Sequence, residues 1–255
     1  MTLIVLSPAK SLDMDSNWKA PRPTQPRLLD GAAQLVQQLR GLSVSDLRGL
    51  MKLSEKLAAL NVERFQDWTP ELNKDNAKPA VLAFTGDVYQ GLDAGSFDND
   101  GLKFLNSQCR ILSGLYGVLR PLDLMKAYRL EMGTRLDNER GATLYDFWSQ
   151  SVTKLINGDI QSGNHDALVN LASNEYFKCI DVKALKVPVI TPVFKEERDG
   201  KLKIISFNAK RARGQMCRYA TERKIDRAND LKRFAVDGYR YDKALSSETE
   251  WLFVR

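Results

Sequence analysis

Ser206 to Arg213 read Ser-Phe-Asn-Ala-Lys-Arg-Ala-Arg and bring a hydroxyl, an amide and three cations close together along the chain. Apolar residues recur at helical spacing from Ala209 to Ala220, which predicts a helix here. Lys210, Arg211 and Arg213 then fall in its first turn. The helix macrodipole disfavours cations at that end, whereas free first-turn N–H groups and positive charge together suit a phosphate. The segment therefore indicates a phosphate site; the alternative is an ordinary solvated basic face.

The formal positive charge of the chain is concentrated around this segment. Lys195 to Lys224 contain ten Lys or Arg against four Asp or Glu, a net charge of +6, and the whole chain has 38 against 32, also +6. The remainder of the chain is therefore neutral by formal count. Such a concentration is typical of a surface that binds a polyanion or a phosphorylated ligand.

Four short polar clusters follow predicted strands, where ligand sites gather in α/β folds. They are Ser7–Ser11, Thr85–Tyr89, Ser113–Gly117 and Ser173–Lys178. Ser, Asn and Gly also serve turns for purely structural reasons. Four such clusters beside a basic segment nevertheless favour the interpretation that they line one shared cleft.

Further charged residues lie between Arg120 and Gly133. Arg120 precedes a proline, which keeps its backbone out of a helix, and Arg129 and Glu131 alternate around Leu130 as neighbours on a strand do. Two interpretations stay open. The arginines belong either to a structural network with carboxylates or to the cleft, as bidentate phosphate donors.

Apolar periodicity predicts helices and strands that alternate without a regular βαβ order. Helical patterns cover Leu28–Leu39, Ser45–Met51, Ser54–Trp68 and Thr143–Ile156, the last opening with a capping box of Thr143 and Asp146. Strands are predicted at Leu3–Leu6, Ala80–Phe84, Arg110–Leu112, Ala167–Leu171, Val187–Phe194 and Leu202–Phe207, the last after an Asp-Gly hairpin at 199–200. We therefore expect an α/β fold, a mixed sheet surrounded by helices, as a single domain over residues 1–255. Neither a Gly-x-Gly-x-x-Gly fingerprint after a strand nor a Walker-type phosphate loop is present.

Composition narrows the class of protein. A chain that is 43% hydrophobic and 27% charged is typical of a globular protein, and the apolar run before Pro8 is too short for a signal peptide or a membrane span. The scattered Cys109, Cys179 and Cys217 favour reduced core thiols in the cytoplasm over disulfides or a zinc site. His165 is the only histidine, and its setting favours a loop or capping role. We therefore expect no metal and no cofactor.

Five longer runs of sequence are more specific than any of these motifs. They are Ser-Pro-Ala-Lys-Ser-Leu-Asp from Ser7, Leu-Ser-Gly-Leu-Tyr-Gly-Val-Leu-Arg-Pro-Leu-Asp-Leu-Met from Leu112, Tyr-Arg-Leu-Glu-Met-Gly from Tyr128, Asn-Leu-Ala-Ser-Asn-Glu-Tyr-Phe-Lys from Asn170, and Lys-Ile-Ile-Ser-Phe-Asn-Ala-Lys-Arg-Ala-Arg-Gly from Lys203. Together they closely resemble the YaaA family of bacterial proteins over essentially the whole chain. The resemblance implies a cytoplasmic protein of the response to hydrogen peroxide, associated with limiting free intracellular iron and oxidative DNA damage. It also implies a compact α/β fold with a positively charged cleft, a helix-hairpin-helix element and DNA binding.

The helix-hairpin-helix element is expected within residues 44–68. Leu50–Ala58 resembles DNA-binding hairpins of the type Leu-Pro-Gly-Ile-Gly-Pro-Lys-Thr-Ala, with Lys52 and Ser54 in the glycine positions. Ser54 is a good N-cap for the second helix, whose free N–H groups, with Lys52 and Lys56, suit a backbone phosphate. The alternative is a tight corner between helices without a DNA role. Ser113–Gly117 is a second, weaker candidate for the hairpin.

We therefore expect a monomeric or weakly associating protein that binds duplex or distorted DNA through sequence-independent phosphate contacts, with an indirect link to free iron and no membrane partner. The expected DNA- or phosphate-binding residues are Lys10, Lys52, Ser54, Lys56, Arg120, Arg129, Lys210, Arg211 and Arg213. The alternative is an enzyme on a phosphorylated or nucleotide-like small molecule in the same basic cleft, with a reacting centre near Ser113, Asp123, Glu131, Asn174 or Tyr176. A third hypothesis is a stress protein that acts through protein contacts alone.

Overall fold

A computed structural model describes residues 2–255 and shows helices packed around a mixed sheet, which confirms the expected fold class. The strands are β1 (Thr2–Leu6), β2 (Ser11–Leu12), β3 (Lys78–Pro79), β4 (Phe84–Thr85), β5 (Cys109–Ser113), β6 (Gly117–Leu119), β7 (Leu124–Met125), β8 (Ala167–Leu171), β9 (Val189–Arg198), β10 (Lys201–Lys203), β11 (Arg240–Asp242) and β12 (Glu250–Val254). The α-helices are α1 (Leu29–Arg40), α2 (Val44–Met51), α3 (Glu55–Gln66), α4 (Ala80–Ala83), α5 (Asp87–Leu92), α6 (Asn99–Gln108), α7 (Leu144–Ser162), α8 (Asn174–Phe177) and α9 (Ser206–Glu222). In the part of the chain described, no helix is long and apolar enough to cross a lipid bilayer.

The main sheet has a parallel centre and antiparallel edges. Its order is β11-β12-β9-β8-β1-β5-β6, with β10 paired to β9. The strands from β12 to β5 run parallel to one another, whereas β11, β6 and β10 are antiparallel to their neighbours. Every residue of β1, β5 and β8 is buried, as expected for central parallel strands covered on both faces.

The neighbouring strands β1 and β8, at the middle of this sheet, form its topological switch point. From β1 the chain reaches β5 on one side, and it later adds β8, β9 and β12 in sequence on the other side. Because β1 and β8 are parallel, the loops that follow them leave the same edge of the sheet in opposite directions. Such a switch point leaves a crevice outside the carboxyl ends of the strands, where α/β proteins bind ligands.

The sequence predicts the long helices and the central strands well. The four predicted helices correspond to α1, α2, α3 and α7, and Thr143 with Asp146 forms the predicted capping box of α7. Asp199 and Gly200 have φ of 55° and 70°, which confirms the predicted hairpin between β9 and β10.

Two predicted strands are wrong in whole or in part. Residues 80–83 of the predicted strand Ala80–Phe84 form the short helix α4, and the N–H of Ala80 donates to the carbonyl of Asp123 at 2.9 Å. A short apolar run fits a buried helical turn as well as a strand, so periodicity alone does not separate them. The predicted strand Leu202–Phe207 ends at Lys203, where pairing with β9 stops, and α9 begins at Ser206.

The early start of α9 changes the position of its cations. The side-chain amide of Asn208, in the first turn, donates to the buried Glu196 of β9 at 2.5 Å and fixes the helix start against the sheet. Lys210, Arg211 and Arg213 therefore lie in the second and third turns, not in the first turn as predicted. The macrodipole acts mainly within the first turn, so it opposes these cations little.

Helices α5 and α9 cross with their backbones in close contact. A Cβ added at Gly214 of α9 would lie 1.8 Å from the carbonyl oxygen of Val88, and one at Gly91 of α5 would lie 2.2 Å from that of Arg211. Only glycine fits at both positions. The crossing fixes the start of α5 beside the middle of α9.

Candidate functional site

A cavity of about 560 Å³ opens beside the crevice at the carboxyl ends of β1 and β8. Three of the four predicted polar clusters contribute to its walls, from the segments Ser7–Ser11, Thr85–Tyr89 and Ser173–Lys178. Helix α9 adds Lys210 and Arg213. The interpretation that separate strand-end clusters share one cleft therefore holds for three of them.

The fourth cluster, Ser113–Gly117, has a structural role. Ser113 is fully buried, and its hydroxyl lies 2.7 Å from the hydroxyl of Tyr128 and accepts the N–H of Tyr116 at 2.9 Å. The segment connects the antiparallel strands β5 and β6, with Gly117 at a φ of 67°. As a link between strands, it is not the second helical hairpin that the sequence suggested.

Hydrogen bonds between the two central loops fix one wall of the cavity. The N–H of Ser173, after β8, donates to the hydroxyl of Ser7, after β1, at 2.8 Å, and the two hydroxyl oxygens are 3.2 Å apart. The hydroxyl of Tyr89 on α5 donates to the carbonyl of Ser7 at 2.9 Å. The loops and α5 are therefore held in one arrangement at the switch point.

The cavity has a balanced formal charge. Its cations are Lys10, Lys210 and Arg213, and its carboxylates are Asp87, Glu131 and Glu175. The cavity itself is therefore not the basic cleft that was expected. The excess charge of Lys195–Lys224 includes exposed cations outside it, such as Lys201, Lys203 and Arg211.

Glu131 already has two cationic partners. Its Oε1 lies 3.0 Å from Nζ of Lys10 and 2.6 Å from Nη2 of Arg129. Partial burial pushes the pKa of Glu131 up, but the hydrogen bonds from Lys10 and Arg129 outweigh this and hold it below its ordinary value. Arg129 thus lies behind Glu131 and is engaged with that carboxylate at the cavity wall.

Arg213 and Asp87 have no such partners. Arg213 is partly buried, its side chain makes no hydrogen bond or ion pair with any described residue, and burial alone lowers the pKa of its guanidinium. Asp87, at the start of α5, is also partly buried and is paired with no cation among residues 2–255. Lys210 and Glu175 also form no ion pair with any described residue, so the cavity presents two cations and two carboxylates without a partner of opposite charge.

Arg120 lies outside this cavity in a structural network. Its Nη2 is 2.9 Å from Oδ1 of Asp123, whose side chain is fully buried, and its backbone N–H donates to the same carboxylate at 2.7 Å. The hydroxyl of Thr24 donates to Asp123 at 2.6 Å as well. The geometry of Arg120 and Asp123 matches the structural clamp, the first of the two interpretations of the sequence.

The surface around the start of α9, outside the cavity, carries both cations and exposed apolar side chains. Arg211 is exposed, and its Nε lies 3.8 Å from Oδ2 of Asp237, too far for a hydrogen bond. Phe207 and Ile204 are 61% and 57% exposed, the highest values among the large hydrophobic residues exposed on the surface. This surface, from Lys203 to Arg211, is hereafter the α9 patch.

The turn between α2 and α3 places three predicted residues together. Lys52 ends α2 in the left-handed conformation with a φ of 52°, the conformation for which glycine is favoured. Leu53 is buried, and Ser54 caps α3, since its hydroxyl accepts the N–H of Leu57 at 3.3 Å. Lys52 and Lys56 are exposed on either side of the cap.

The remaining residues with catalytic or metal-binding chemistry lie elsewhere. All three cysteines are buried and free of disulfide bonds, as predicted for core thiols, and burial raises the pKa of Cys179 to about 12. His165 is also buried, outside the cavity. Within residues 2–255, no three His, Cys, Asp or Glu side chains come close enough to hold a metal ion.

Neither Asp87 nor Glu175 was predicted from the sequence as a binding residue. Both lie in clusters that it placed after strands, so their position was the available signal. The close crossing at Gly91 and Gly214 has no such signal, because a glycine in a helical pattern does not reveal which backbone it faces.

Comparison with known proteins gives consistent matches over the full length. A family model described as peroxide stress protein YaaA matches residues 2–245. The chain is 54% identical to a UPF0246 protein of Cupriavidus metallidurans over 256 residues, which cover 99% of this chain and 98% of that protein. It is 53% identical to a UPF0246 protein of Janthinobacterium sp. and 51% identical to one of Idiomarina loihiensis, each over 253 residues that cover 99% of this chain and 98% of the relative.

Proposed function

The chain belongs to the peroxide stress protein YaaA family, and from this premise we propose that it is a cytoplasmic protein that binds duplex or distorted DNA through sequence-independent phosphate contacts. The observation that carries the proposal is the concentration of the net charge of +6 in Lys195–Lys224, with exposed cations on the α9 patch. A surface of this kind attracts any DNA sequence, because the phosphates are common to all of them.

The apolar side chains of the α9 patch support binding to distorted DNA in particular. Phe207 and Ile204 stand exposed between the cations of Lys203 and Arg211. Apolar side chains beside phosphate-binding cations insert at base steps that are unstacked, and this insertion is easiest where the duplex is already disrupted. A bulged duplex should therefore bind more tightly than a regular one.

The turn between α2 and α3 supplies the second proposed contact. A backbone phosphate at the start of α3 would meet the free N–H groups of the first turn and the exposed Lys52 and Lys56. Lys52 occupies one of the two glycine positions of the hairpin motif that the sequence resembles, and its left-handed backbone conformation is one that glycine adopts readily.

Fluorescence anisotropy with paired substitutions tests both contacts. Lys210→Ala with Arg211→Ala, and separately Lys52→Ala with Lys56→Ala, should each weaken binding by about tenfold or more across unrelated duplexes, because each removes two phosphate contacts. Lys103→Ala with Lys183→Ala removes the same charge from other elements and should leave affinity within about twofold. An equal loss of DNA affinity in all three double variants would show that net charge alone determines binding, and it would contradict the two proposed contacts.

The proposed link to free iron is indirect and acts through protection of DNA, not through metal binding by this chain. One histidine and three dispersed, buried cysteines give the chain few of the ligands that iron and zinc prefer. Elemental analysis of the protein after mild purification should find far less than one iron or zinc per chain. A ratio near one would contradict the indirect link.

A further inference from the structure

We propose that the cavity between the β1 and β8 loops and helices α5 and α9 binds a small sugar phosphate, such as a mononucleotide. In this assignment Arg213 holds the phosphate and Asp87 accepts hydrogen bonds from the sugar hydroxyls. The cavity lies next to the α9 patch and shares Lys210 with it, but the proposal does not depend on DNA binding.

Arg213 identifies the anionic part of the ligand. A partly buried guanidinium without a hydrogen-bond partner loses hydration and gains nothing within the protein. A phosphate restores this loss, since the planar guanidinium donates two parallel hydrogen bonds to its oxygens. Lys210 lies three residues earlier on α9, on the same side of the helix, and also lines the cavity, so it adds charge near the same phosphate.

Asp87 identifies the polar part. Its carboxylate faces the same cavity without a cationic partner, and a carboxylate accepts hydrogen bonds from adjacent hydroxyls of a sugar, as in dinucleotide-binding α/β folds. The hydroxyls of Ser7 and Ser173 lie at the same wall. An inorganic anion alone would leave this half of the cavity unused.

The fold holds the two charges apart at a fixed separation. Asp87 begins α5, Arg213 lies in α9, and the helices cannot shift freely because their backbones meet at Gly91 and Gly214. Asp87 and Arg213 do not pair with each other although both line one cavity. A ligand with an acidic end and a hydroxyl-rich part bridges them.

The place and size of the cavity agree with this ligand. Its volume of about 560 Å³ lies within the range of about 300 to 1,000 Å³ typical of small-molecule sites. It opens at the switch point of the sheet, where α/β proteins bind nucleotides and related ligands. The balance of three cations and three carboxylates suits a ligand with both donors and an anion better than a polyanion.

Isothermal titration calorimetry of the full-length protein tests the proposal with four probes: AMP, ribose 5-phosphate, inorganic phosphate and adenosine. AMP and ribose 5-phosphate should bind, and adenosine should bind at least about tenfold more weakly because it lacks the phosphate. Arg213→Gln should weaken both phosphate esters by about 10- to 100-fold. Asp87→Asn should weaken the esters by about tenfold and leave inorganic phosphate unchanged.

Arg223→Gln is the matched control, since Arg223 is exposed at the end of the same helix and lies outside the cavity. It should bind AMP as the unmodified protein does, while Arg213→Lys should retain part of the affinity. Failure of both esters to bind, or equal loss in Arg223→Gln and Arg213→Gln variants with unchanged melting temperatures, would overturn the proposal. Binding of AMP by a protein that binds no DNA would refute the proposed function and leave this site standing.

The same chemistry is present at a phosphorylated end of DNA, and competition separates the two sources. Displacement of bound AMP by a duplex with 5′-phosphates, but not by the same duplex without them, would place a DNA end in the cavity. Retention of AMP against both duplexes would assign the cavity to a free small molecule. Displacement by both duplexes alike would contradict recognition of a terminal phosphate ester.

Discussion

Individual cations in this protein differ in whether another side chain already satisfies them. Arg120 and Arg129 each contact a carboxylate, at Asp123 and Glu131, whereas Arg213 has no partner among the described residues. The sequence predicted all three as phosphate-binding residues, because it shows the type of a residue but not its neighbour in space. Asp123 and Glu131 lie three and two residues from their arginines, so the sequence offered a carboxylate network as one of two interpretations, and the fold decides between them.

The unpaired guanidinium of Arg213 should therefore lower the free energy of unfolding when no ligand is bound. Removing a partly buried, unpaired charge relieves its desolvation, so Arg213→Gln should leave the melting temperature unchanged or raise it. Arg110 is the contrasting case, since its Nε lies 2.6 Å from Oδ2 of the buried Asp159. Arg110→Gln should lower the free energy of unfolding by about 3 kcal/mol or more, because it breaks a buried ion pair. Thermal and urea unfolding would measure both, and a large loss for Arg213→Gln would contradict the view of Arg213 as unsatisfied.

The carboxylate of Asp159 should make stability depend on pH in the acid range. Burial raises the pKa of Asp159, but hydrogen bonds from Arg27 and Arg110 outweigh it and lower the pKa to about 2, below its ordinary value of 3.8. A group whose folded pKa is depressed stabilises the fold fully above its unfolded pKa and loses this effect as pH falls towards the folded pKa.

The free energy of unfolding should therefore fall by about 1 to 2 kcal/mol from this group as pH drops from about 4 to about 2. An Asp159→Asn variant should be less stable at neutral pH and should lack this part of the acid dependence. Urea titrations at several pH values measure it, and parallel pH curves for the two proteins would show that Asp159 titrates normally.

At the scale of elements, long and central segments follow from the sequence and short or contact-dependent ones do not. The strands β1, β5 and β8 were predicted closely because central parallel strands are continuously apolar. The start of α9 was misplaced because it depends on where pairing with β9 ends and on the bond from Asn208 to Glu196. The short helices α4, α5 and α8 have too few residues to show a period.

The crossing of α5 and α9 gives a test at this scale. Gly214→Ala should destabilise the fold by about 1 to 3 kcal/mol, because its Cβ would meet the backbone of α5 and force the helices apart. It should also reduce ligand binding in the cavity, whose walls include both helices.

Gly158→Ala is the matched control for that substitution. Gly158 lies in the interior of helix α7 with nothing within 4 Å of an added Cβ, so alanine there should stabilise the protein by about 0.5 to 1 kcal/mol. Urea unfolding of both variants shows whether close packing or helix propensity determines the change in the free energy of unfolding at Gly214. If Gly214→Ala stabilised the protein as Gly158→Ala does, the helices would not be in close contact.

At the scale of the whole molecule, most of the excess positive charge lies on a surface outside the cavity. The sequence located the excess charge in Lys195–Lys224 correctly, but it could not show that Arg213 turns into a neutral cavity while Arg211 stays on the outer surface. Three of the four predicted clusters line one cavity, and two of them were predictable because they follow the central strands β1 and β8. Thr85–Tyr89 instead follows α4 and begins in the short β4, which pairs outside the main sheet. The charge balance of the cavity depends on Asp87 in α5, Glu175 in α8 and Glu131, which the fold brings together and the order of residues along the chain does not show.

The most direct test of the proposed function is the salt dependence of DNA binding by the unmodified protein. Anisotropy titrations of one duplex and of an unrelated duplex, at salt concentrations from about 50 to about 200 mM, give the slope of log affinity against log salt. If Lys52, Lys56, Lys210 and Arg211 contact phosphates, the slope should be about −3.6, at about −0.9 per neutralised phosphate, with little difference between sequences. A slope near zero, or no binding at the lowest salt concentration, would contradict the claim that this protein binds DNA through phosphate contacts.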